Sequence, residues 1–562
     1  MKKSYLLSTL LFAFTFSQAQ TPAVQWARGI DSATLGGPQS IAADASGNVY
    51  VAGSFGNTAF IFANTTLPNN ATNGAGNMYL AKFDSSGNNL WAKSAGGGAN
   101  EGTEAVNAIG LGTDANGNVY VVGSYTTTDA IFGNVTLASV FNGSSFLVKY
   151  DAQGNALWAL NVGGNLNNAN SIAVDANGNS FITGSFTGSY IIGGPDSVPL
   201  NSNIEGYTIK YDSAGNSVWA TGISGNNVFN NAITLDAAGN VYVTGSYDGD
   251  SVLIGNSIVL SNNHGDGMFT VKYDKNGNPL WAKNVSLSSF VNPGGIATDG
   301  QGNVYVTGYT TADTLIFGID TTITGSSTSN IFIAAYDSSG NSKWLHSTTN
   351  NNNITSSCIS ANASGQVFIT GSFATPSVVI GNTTLVNNDT LGPEQAFFIA
   401  EYNSAGDVVW VTGGLSANND MDAGASLQAD NKGHLYVTGI YAGPSIIFAN
   451  DTLLPFGTPP GPANVFVVKY EASETSVGIA APETTINNIT VYPNPSTGSF
   501  CFKGISNGST IEIYNVLGQR LYSAIPTGDT YVMNIGAEAK GVYLYRVVAS
   551  DNLVQQGKIV LQ

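Results

Sequence analysis

The sequence predicts an all-β fold, and three observations lead to this prediction. Only about 10% of the 562 residues are charged, whereas 43% are hydrophobic and 68 are glycine. The apolar runs are four to seven residues long, are rich in Val, Ile, Tyr and Phe, and alternate with polar residues. Alternation of this kind, bounded by Gly-Asn turns, is typical of strands. A coiled coil is excluded, because it draws about half of its residues from Ala, Glu, Lys, Leu and Arg.

The charge balance excludes some classes of partner. The formal net charge is -18, from 36 acidic and 18 basic residues. Nucleic acids and anionic membranes bind clustered Lys and Arg, so we predict neither as a partner. A disordered acidic tail is also excluded, because the hydrophobic and aromatic residues suffice for a large core.

Residues 1–19 are predicted to be a signal peptide for export through the Sec pathway. Two lysines follow Met1, residues 6–16 are apolar, and a small-residue cleavage site lies between Ala19 and Gln20. The apolar run is too short to span a bilayer, which takes about 20 residues. No later segment offers such a run, so no transmembrane span is predicted.

The seven tryptophans recur at a nearly constant interval of 61 to 67 residues. They are Trp26, Trp91, Trp158, Trp219, Trp281, Trp344 and Trp410. Within each interval the chain repeats the same order of four apolar runs and two Asp-x-x-Gly turns, seen most clearly at residues 169–219. Four strands per repeat at this pitch predict the blades of a β-propeller.

The two ends of the repeat region predict how the ring closes. The seventh repeat stops near Tyr470 without a tryptophan strand, while residues 24–27 form a tryptophan strand that precedes the first repeat. We therefore expect the N-terminal strand to complete the last of seven blades, which removes exposed sheet edges. The alternative, a linear β-solenoid, leaves Trp26 without a partner strand.

Residues 24–470 resemble the SBBP β-propeller repeats of secreted bacterial proteins. The likeness rests on Lys-Tyr-Asp at residues 272–274, Trp281, and Gly-Asn-Val-Tyr-Val-Thr-Gly at residues 302–308. It implies the propeller architecture but little chemistry. Four late turn positions depart from the pattern, and less regular turns are expected there: Asn362, Gln366, Asn403 and His434.

The repeat also predicts two unlike faces. Both turns of each blade are short and repetitive, so every long and divergent connection falls on the opposite, variable face. Eleven aspartates begin these turns, where a carboxylate accepts backbone N–H groups and the following glycine takes a positive φ. Residues 114–118 are interpreted as such a turn and not as a calcium loop. We expect the tryptophans to pack between neighbouring blades, and a small extra hairpin near residues 131–137 to recur in every blade.

No catalytic constellation or cofactor site is evident, so a non-enzymatic protein is predicted. The propeller has one arginine, Arg28, which rules out a sialidase-like arginine cluster. His264, His346 and His434 fall in unrelated positions and are not expected to share a metal or a triad. Weak calcium candidates occur in two short acidic motifs on the variable face: Asp248, Asp250, Asp420 and Asp422.

A carboxylate pair is the alternative chemistry. Two suitably spaced carboxylates on the variable face would support glycoside hydrolysis. The acids predicted near that face are Glu101, Glu104, Glu205, Asp248, Asp250, Asp266, Glu394, Asp420 and Asp422. We interpret these scattered acids as solvated loop residues.

The C-terminal region, residues 488–562, follows a linker at residues 471–487 and has no tryptophan repeat. Its motifs, in chain order, include Tyr492, Pro493, Asn494, Pro495, Gly498, Tyr514, Gly518, Gly541 and Tyr543. They resemble the type A sorting domain of the type IX secretion system. The resemblance implies a small Ig-like β-sandwich, recognition by the outer-membrane translocon and sorting machinery, and a Bacteroidetes-type source. The alternative is a C-terminal carbohydrate-binding sandwich.

Together these observations predict a seven-bladed propeller of four-stranded blades at residues 20–470, followed by the C-terminal sandwich. Cys358 and Cys501 fall in different domains and are expected to remain thiols. The function expected is that of an extracellular or cell-surface binding or adhesion module, with a glycan or protein ligand on the variable face. A secreted carbohydrate-active hydrolase and a structural surface-layer or spacer protein are the alternatives.

Overall fold

The structure is a computed structural model, and the residues that it describes consist of strands and connecting turns. They are residues 22–30, 37–56, 59–62, 65–69, 76–97, 105–138, 144–163, 167–193, 196–201, 203–255, 257–261, 266–287, 291–312, 314–317, 320–323, 329–348, 353–387, 395–416, 421–455, 464–471, 489–505, 509–515, 520–548 and 554–562. The predicted signal peptide and most of the predicted linker lie outside these residues. The chain forms two compact units, Met1–Ser473 and Glu474–Gln562.

The strands of the first unit are numbered in chain order. They are β1 (Ala23–Ile30), β2 (Pro38–Ala43), β3 (Val49–Phe55), β4 (Ala59–Phe62), β5 (Thr65–Pro68), β6 (Asn77–Phe83), β7 (Asn89–Gly96), β8 (Val106–Thr113), β9 (Val119–Tyr125), β10 (Asp129–Phe132), β11 (Val135–Ala138), β12 (Ser144–Tyr150), β13 (Ala156–Asn161), β14 (Asn167–Val174), β15 (Ser180–Phe186), β16 (Tyr190–Gly193), β17 (Asp196–Pro199), β18 (Glu205–Tyr211), β19 (Ser217–Leu235), β20 (Val241–Ile254), β21 (Ile258–Ser261), β22 (Asp266–Tyr273), β23 (Pro279–Leu287), β24 (Val291–Thr298), β25 (Val304–Thr310), β26 (Thr314–Phe317), β27 (Asp320–Ile323), β28 (Asn330–Tyr336), β29 (Ser342–Ser347), β30 (Ile354–Ala361), β31 (Val367–Phe373), β32 (Ser377–Ile380), β33 (Thr383–Val386), β34 (Ala396–Tyr402), β35 (Val408–Thr412), β36 (Leu415–Ser416), β37 (Ala423–Ala429), β38 (His434–Tyr441), β39 (Ile446–Phe448), β40 (Asp451–Leu453) and β41 (Asn464–Glu471).

These strands build antiparallel four-stranded meanders, which we call blades with strands a to d. Seven such meanders occur within the described residues. In chain order, they are β2-β3-β6-β7, β8-β9-β12-β13, β14-β15-β18-β19, β19-β20-β22-β23, β24-β25-β28-β29, β30-β31-β34-β35 and β37-β38-β41-β1. The long strand β19 serves as strand d of blade 3 and strand a of blade 4. The all-β propeller class predicted from the sequence is confirmed.

The blades are arranged in a ring around their a strands. Each strand a contacts the next one along the chain, and β37 of the last blade contacts β2 of the first. At that last contact, the Ala43 backbone N–H donates to Gln428 Oε1 at 2.8 Å, and the Ile41 N–H donates to Ser426 Oγ at 3.3 Å. The contacts between a strands therefore return to their starting point.

The N-terminal strand completes the last blade, as the sequence predicted. Strand β1 pairs antiparallel with β41, which places Trp26 opposite Lys469. Because β1 is the outer strand of this blade, β41 and β1 are not joined by the short turn that links strands c and d elsewhere. This missing turn matters for the packing of Trp410, described below.

The predicted extra hairpin is present between strands b and c of each blade. The hairpins are β4-β5, β10-β11, β16-β17, β20-β21, β26-β27, β32-β33 and β39-β40. Some of them also pair with strand d of the preceding blade, such as β10 with β7 and β26 with β23. Hairpins of this kind add strands at the outer rim.

Every strand a carries a β-bulge at the same position. The extra residues are Gln39, Ile109, Asn170, Asn231, Gly294, Ser357 and Ala425. Beside each bulge, strand b has a glycine, and a Cβ added there would lie well under 3.0 Å from a carbonyl oxygen of strand a or, in blade 1, of Gly37 just before it. These glycines are Gly53, Gly123, Gly184, Gly245, Gly308, Gly371 and Gly439. The recurrent glycine of the repeat therefore makes room for the bulge.

The irregular turns expected at Asn362 and Asn403 are not observed, so this prediction was wrong. The Gly365 N–H donates to the Asn362 carbonyl at 3.0 Å, and the Gly406 N–H donates to the Asn403 carbonyl at 3.0 Å. The same geometry holds at the aspartate turns, for example between Gly302 and Asp299 at 3.1 Å. An amide oxygen accepts the backbone N–H groups in place of a carboxylate, so the turn is unchanged.

The second unit consists of two antiparallel sheets around a shared apolar core. Its strands are β42 (Thr490–Tyr492), β43 (Ser499–Lys503), β44 (Thr510–Tyr514), β45 (Arg520–Ala524), β46 (Thr530–Asn534), β47 (Gly541–Val548) and β48 (Val554–Leu561). The sheets have the orders β42-β43-β46 and β45-β44-β47-β48. Phe500, Phe502, Ile511 and Ile559 are fully buried in this core. The Ig-like topology stays a prediction.

Candidate functional site

The face formed by the short turns is occupied by internal hydrogen bonds. Asp44 Oδ1 accepts the backbone N–H groups of Ser46 at 2.9 Å and Asn48 at 3.0 Å, and Asp44 Oδ2 accepts the Tyr50 hydroxyl at 3.1 Å. Equivalent bonds recur at the other aspartate turns. The oxygens of these carboxylates therefore accept hydrogen bonds from within the protein, which supports their interpretation as turn residues and not as calcium ligands.

Hydrogen bonds that the turn aspartates accept also lower the pKa of several of them. At Asp236, burial pushes the pKa up, but bonds from Asn240 and Tyr242 and the nearby charge of Lys272 outweigh it, so the pKa lies below its usual value. The charged form of this carboxylate is stabilised where it stands. A carboxylate with a lowered pKa is not suited to act as a general acid or base near neutral pH.

The tryptophans join neighbouring blades, as the sequence predicted. The Trp91 indole N–H donates to the Ala152 carbonyl of the next blade at 3.2 Å, and Lys82 Nζ donates to the same oxygen at 3.0 Å. The same N–H bond recurs at 3.1 to 3.2 Å for Trp26, Trp219, Trp281 and Trp344. Both donors come from one cross-strand pair, because Lys82 lies opposite Trp91.

A lysine ammonium over an aromatic ring completes this arrangement. Lys82 Nζ lies 4.8 Å from the centroid of the Tyr50 ring, and Lys272 Nζ lies 5.0 Å from that of Tyr242. The sequence showed these lysines as part of a motif, but their role was not predicted. They are part of the packing between blades and are not available to a ligand.

Blade 6 lacks this arrangement. Glu401 occupies the lysine position opposite Trp410, and Phe368 occupies the tyrosine position. Gln366 Nε2 donates to Glu401 Oε1 at 2.8 Å. Burial raises the pKa of Glu401 to about 7, although Gln366 and Trp410 lower it in part. Its position in the seam between blades 6 and 7 indicates a structural group.

A cavity of about 340 Å³ lies among blades 3, 4 and 5, next to the bulges of their a strands. It is lined by Asn170, Phe229, Asn231, Ser246, Val291 and Asn292. All of them except Ser246 lie in the part of strand a that is remote from the a–b turn, and Ser246 lies opposite Phe229 in strand b of blade 4. The cavity is therefore toward the variable face. We call this the amide cavity.

The amides of the cavity are oriented by hydrogen bonds. Asn170 Nδ2 donates to the Asn230 carbonyl at 2.8 Å, and Asn231 Nδ2 donates to Asn292 Oδ1 at 3.2 Å. Asn292 Nδ2 in turn donates to the Tyr309 hydroxyl at 3.0 Å. Asn231 Oδ1 is buried and accepts no hydrogen bond from the described residues. Sequence reasoning missed this site, although Asn170, Asn231 and Asn292 follow one another at intervals of 61 residues.

The calcium candidates do not form a metal cluster within the described residues. Asp248 Oδ2 accepts the Asn227 side-chain amide at 2.7 Å, and Asp422 is buried. Asp420 lies outside the described residues. No group of three His, Cys, Asp or Glu side chains suited to a metal occurs among the residues that the structure describes.

The other candidate acids are dispersed. Glu205 is fully buried, and its Oε1 accepts the backbone N–H of Asn201 at 3.0 Å. Asp266 begins β22, where its backbone pairs with that of Asp248. Glu101, Glu104 and Glu394 lie outside the described residues. Among the described acids, Glu205 and Asp248 are engaged with neighbouring amide groups.

The histidines and cysteines also lie apart. His346 packs against Trp344 with ring centroids 5.4 Å apart, and burial lowers its pKa despite the nearby charge of Asp407. His434 Nδ1 lies 2.8 Å from Asp430 Oδ2 in an a–b turn. His264 is outside the described residues. Cys358 and Cys501 are free thiols.

In the second unit, the first motif is tied to the last strand. Asn494 Nδ2 donates to the Lys558 carbonyl at 2.8 Å, and Asn494 Oδ1 accepts the Val560 N–H at 2.9 Å. The Gln562 N–H donates to the Ser496 carbonyl at 2.8 Å. The asparagine of the Tyr-Pro-Asn-Pro motif therefore holds the C-terminal strand in place.

The remaining motif residues serve different purposes. The Gly498 carbonyl accepts the Ile535 N–H at 2.8 Å, and the Tyr514 hydroxyl donates to Glu512 at 2.7 Å. Tyr492 is about half exposed, whereas Tyr543 is buried and donates to the Ala539 carbonyl. Gly541 begins β47, and Gly518 lies outside the described residues.

Comparison with known protein families identifies two parts of the chain. Residues 490–562 match the family model described as a secretion system C-terminal sorting domain. Residues 288–315 match the SBBP model, described as a β-propeller repeat. Among curated proteins, an uncharacterised WD repeat-containing protein of Acanthamoeba polyphaga mimivirus is 25% identical over 343 residues, or 50% of this chain. The chain spans about 25% of the length of that relative.

Two solved structures are similar over most of the chain. PorZ, described as a surface component of the type IX secretion system of Porphyromonas gingivalis, is 12% identical with a TM-score of 0.29, and the match covers 93% of this chain and 81% of PorZ. The endosialidase of phage phi92 is 11% identical with a TM-score of 0.36, covering 95% and 87%. TM-scores this low give neither likeness any weight for function.

No helix in the described part of the chain has the length and apolarity of a membrane span. The sorting domain directs export by the type IX secretion system to the cell surface or the extracellular space. The chain thus carries a type IX secretion sorting domain at residues 490–562 and an SBBP-type β-propeller repeat at residues 288–315.

Proposed function

We propose that the propeller is a non-enzymatic binding or adhesion module that acts outside the cell. The observation that carries the proposal is the amide cavity, whose lining contains no carboxylate, ammonium, guanidinium, imidazole or thiol. A site without a titratable group lacks the acid and base that hydrolysis requires, but retains groups that orient a ligand.

The division of the propeller into two faces supports the same function. The carboxylates of the short turns accept hydrogen bonds from within the turns, as Asp44 does from Ser46 and Asn48. The sequence pattern predicts the longer and more divergent connections on the opposite side. Variable connections on a constant scaffold are typical of proteins that bind ligands.

The test uses the purified full-length chain in two assays. In the first, fluorescently labelled protein is added to cells, to extracellular polysaccharides and to immobilised surface proteins, and saturable binding is expected. In the second, the same polysaccharides are screened for release of reducing ends, and none is expected. Turnover that disappears when one carboxylate, such as Asp248 or Asp250, becomes an amide would establish the hydrolase instead.

A further inference from the structure

We propose that the amide cavity binds a neutral saccharide segment, an inference that rests on the binding function proposed above. Its volume of about 340 Å³ is at the lower end of the roughly 300–1,000 Å³ of small-molecule sites, so it suits a short segment rather than a large ligand. The argument for the class of ligand comes from the side chains that line the cavity.

The lining is more polar than that of a typical small-molecule pocket. Three asparagines and Ser246 face one exposed aromatic residue, Phe229, which is 37% exposed, and one aliphatic residue, Val291. Small-molecule pockets are usually lined mainly by apolar side chains with a few polar groups. Polar and apolar groups contribute about equally to this cavity, which favours a ligand that presents hydroxyl groups as well as an apolar ring face.

Amide side chains complement such a ligand. Each asparagine offers both a donor and an acceptor, as a pair of neighbouring hydroxyls does. The hydrogen bonds of Asn170 and Asn292 orient their amides before a ligand arrives. The bond from Asn231 Nδ2 to Asn292 Oδ1 orients the third amide in the same way. Phe229 adds a flat apolar surface against which a sugar ring can lie.

The lack of charged side chains in the lining limits the class of ligand further. Acidic sugars are usually held by arginine or lysine, and neither lines this cavity. Hydrolysis needs a pair of carboxylates, and none is present in the lining either. The ligand class is therefore neutral, and the event is binding without cleavage.

Comparison between blades shows that the amides are not required by the fold. The bulge is present in all seven strands a, but its extra residue is Gln39, Ile109, Gly294, Ser357 or Ala425 outside blades 3 and 4. Only Asn170 and Asn231 place an asparagine there. A purely structural role in the bulge would not distinguish these two blades from the others.

The experiment measures saccharide binding to the full-length chain by isothermal titration calorimetry. The probes are maltotriose, cellotriose, xylotriose and N,N′,N″-triacetylchitotriose, with 3′-sialyllactose and trigalacturonate as acidic comparisons. At least one neutral trisaccharide should bind, and both acidic probes should fail. The variants Phe229→Ala and Asn170→Ala should each weaken binding at least tenfold.

Two matched controls test whether loss of binding is local. Ser357→Ala changes the bulge residue of blade 6, and Val259→Ala removes an exposed aliphatic side chain outside the cavity. Both should bind like the unmodified chain, and all four variants should keep its melting temperature. Because Phe229 is exposed, its variant reports on binding even if Asn170→Ala fails to fold.

The possible failures are distinct. Neutral saccharide binding that survives in both cavity variants overturns this site but leaves the binding module standing. Failure of every neutral probe, or preference for the acidic ones, overturns the saccharide class. The binding module itself fails only if the labelled protein also shows no saturable binding to cells, polysaccharides and surface proteins.

Discussion

The side-chain amide of Gln366 donates a hydrogen bond to the carboxylate of Glu401 at 2.8 Å. Glu401 is a buried acid at the position where most blades have a lysine. The neighbouring a–b turn has also lost a charged group, because Asn362 stands where the other blades have an aspartate. A carboxylate beside a second carboxylate would be repelled, whereas an amide is neutral. The substitutions in blade 6 are therefore electrostatically consistent with one another.

Ring closure explains why this blade differs. In blades 1, 4 and 7, the tryptophan and the lysine both donate to one carbonyl in the c–d turn of the next blade, as Trp281 and Lys272 do with Ser338. Blade 7 has no such turn, because its outer strand is β1. Glu401 replaces a lysine donor at this seam, and the buried Trp410 indole N–H has no hydrogen-bond partner among the described residues.

Glu401 should make folding stability depend on pH. Its pKa is raised from 4.5 to about 7 by burial, so the folded state favours the neutral carboxyl. The stabilisation is complete below the unfolded pKa and is lost as pH rises through the folded pKa, a change of about 3 kcal/mol. We expect Glu401→Gln to remove most of the fall in melting temperature between pH 5 and pH 8.

Differential scanning fluorimetry at half-unit pH steps measures this effect. Glu471→Gln, which changes an exposed carboxylate at the end of β41, is the matched control and should retain the slope of the unmodified chain. An unchanged slope in Glu401→Gln would show that other groups cause the pH dependence.

The glycine beside each bulge should resist substitution. A Cβ at Gly184 would collide with the Asn168 carbonyl, and neither backbone can move without breaking the ladder between β14 and β15. Gly184→Ala should cost more than the roughly 1–3 kcal/mol of ordinary overpacking. The measurement is chemical denaturation of the full-length chain.

Gly239→Ala separates steric collision from backbone strain. Gly239 has a φ of +81°, but nothing lies within 4 Å of the position of its added Cβ. This variant should lose only about 1–2 kcal/mol, the cost of a left-handed backbone for a non-glycine residue. Equal losses at Gly184 and Gly239 would contradict the collision argument.

The indole N–H groups should contribute equally at the seams where they bond. Trp219→Phe removes the bond to the Lys275 carbonyl and keeps an aromatic ring, and Trp344→Phe does the same at Ser404. Each should lower stability by about 0.5–1.5 kcal/mol, because a part-buried hydrogen bond between blades is lost. Tyr190→Phe, at an exposed ring, should cost nothing measurable in the same denaturation series.

Asn494 should be required for surface delivery. Asn494→Ala removes both bonds that tie the Tyr-Pro-Asn-Pro loop to β48. We expect the protein to accumulate in the periplasm, as it should when residues 488–562 are deleted, and cell fractionation with immunoblotting measures this. Lys540→Ala, at an exposed turn position, is the control and should be displayed normally. Normal display of Asn494→Ala would show that the loop need not be fixed.

Much of the architecture could be predicted because the same pattern of strands and turns recurs in each repeat of the sequence. Regular spacing of Trp91, Trp158 and Trp219 predicted the blades, and the unpaired tryptophan strand at residues 24–27 predicted its pairing with β41. The turn at Asn362 was misjudged, because the sequence pattern treats asparagine and aspartate as different, whereas the side-chain oxygen of either residue accepts hydrogen bonds from the backbone N–H groups.

The sequence by itself determined the strands, the turns, the closing strand and the sorting domain, because these depend on local periodicity and on motifs contiguous in the chain. Tertiary structure alone decided which lysines lie over which rings, why Gly184 must be glycine and where Asn170, Asn231 and Asn292 meet. These contacts join residues from different strands or blades, often about 60 positions apart. Such proximity is set by ring geometry and bulge register, which no single stretch of sequence encodes.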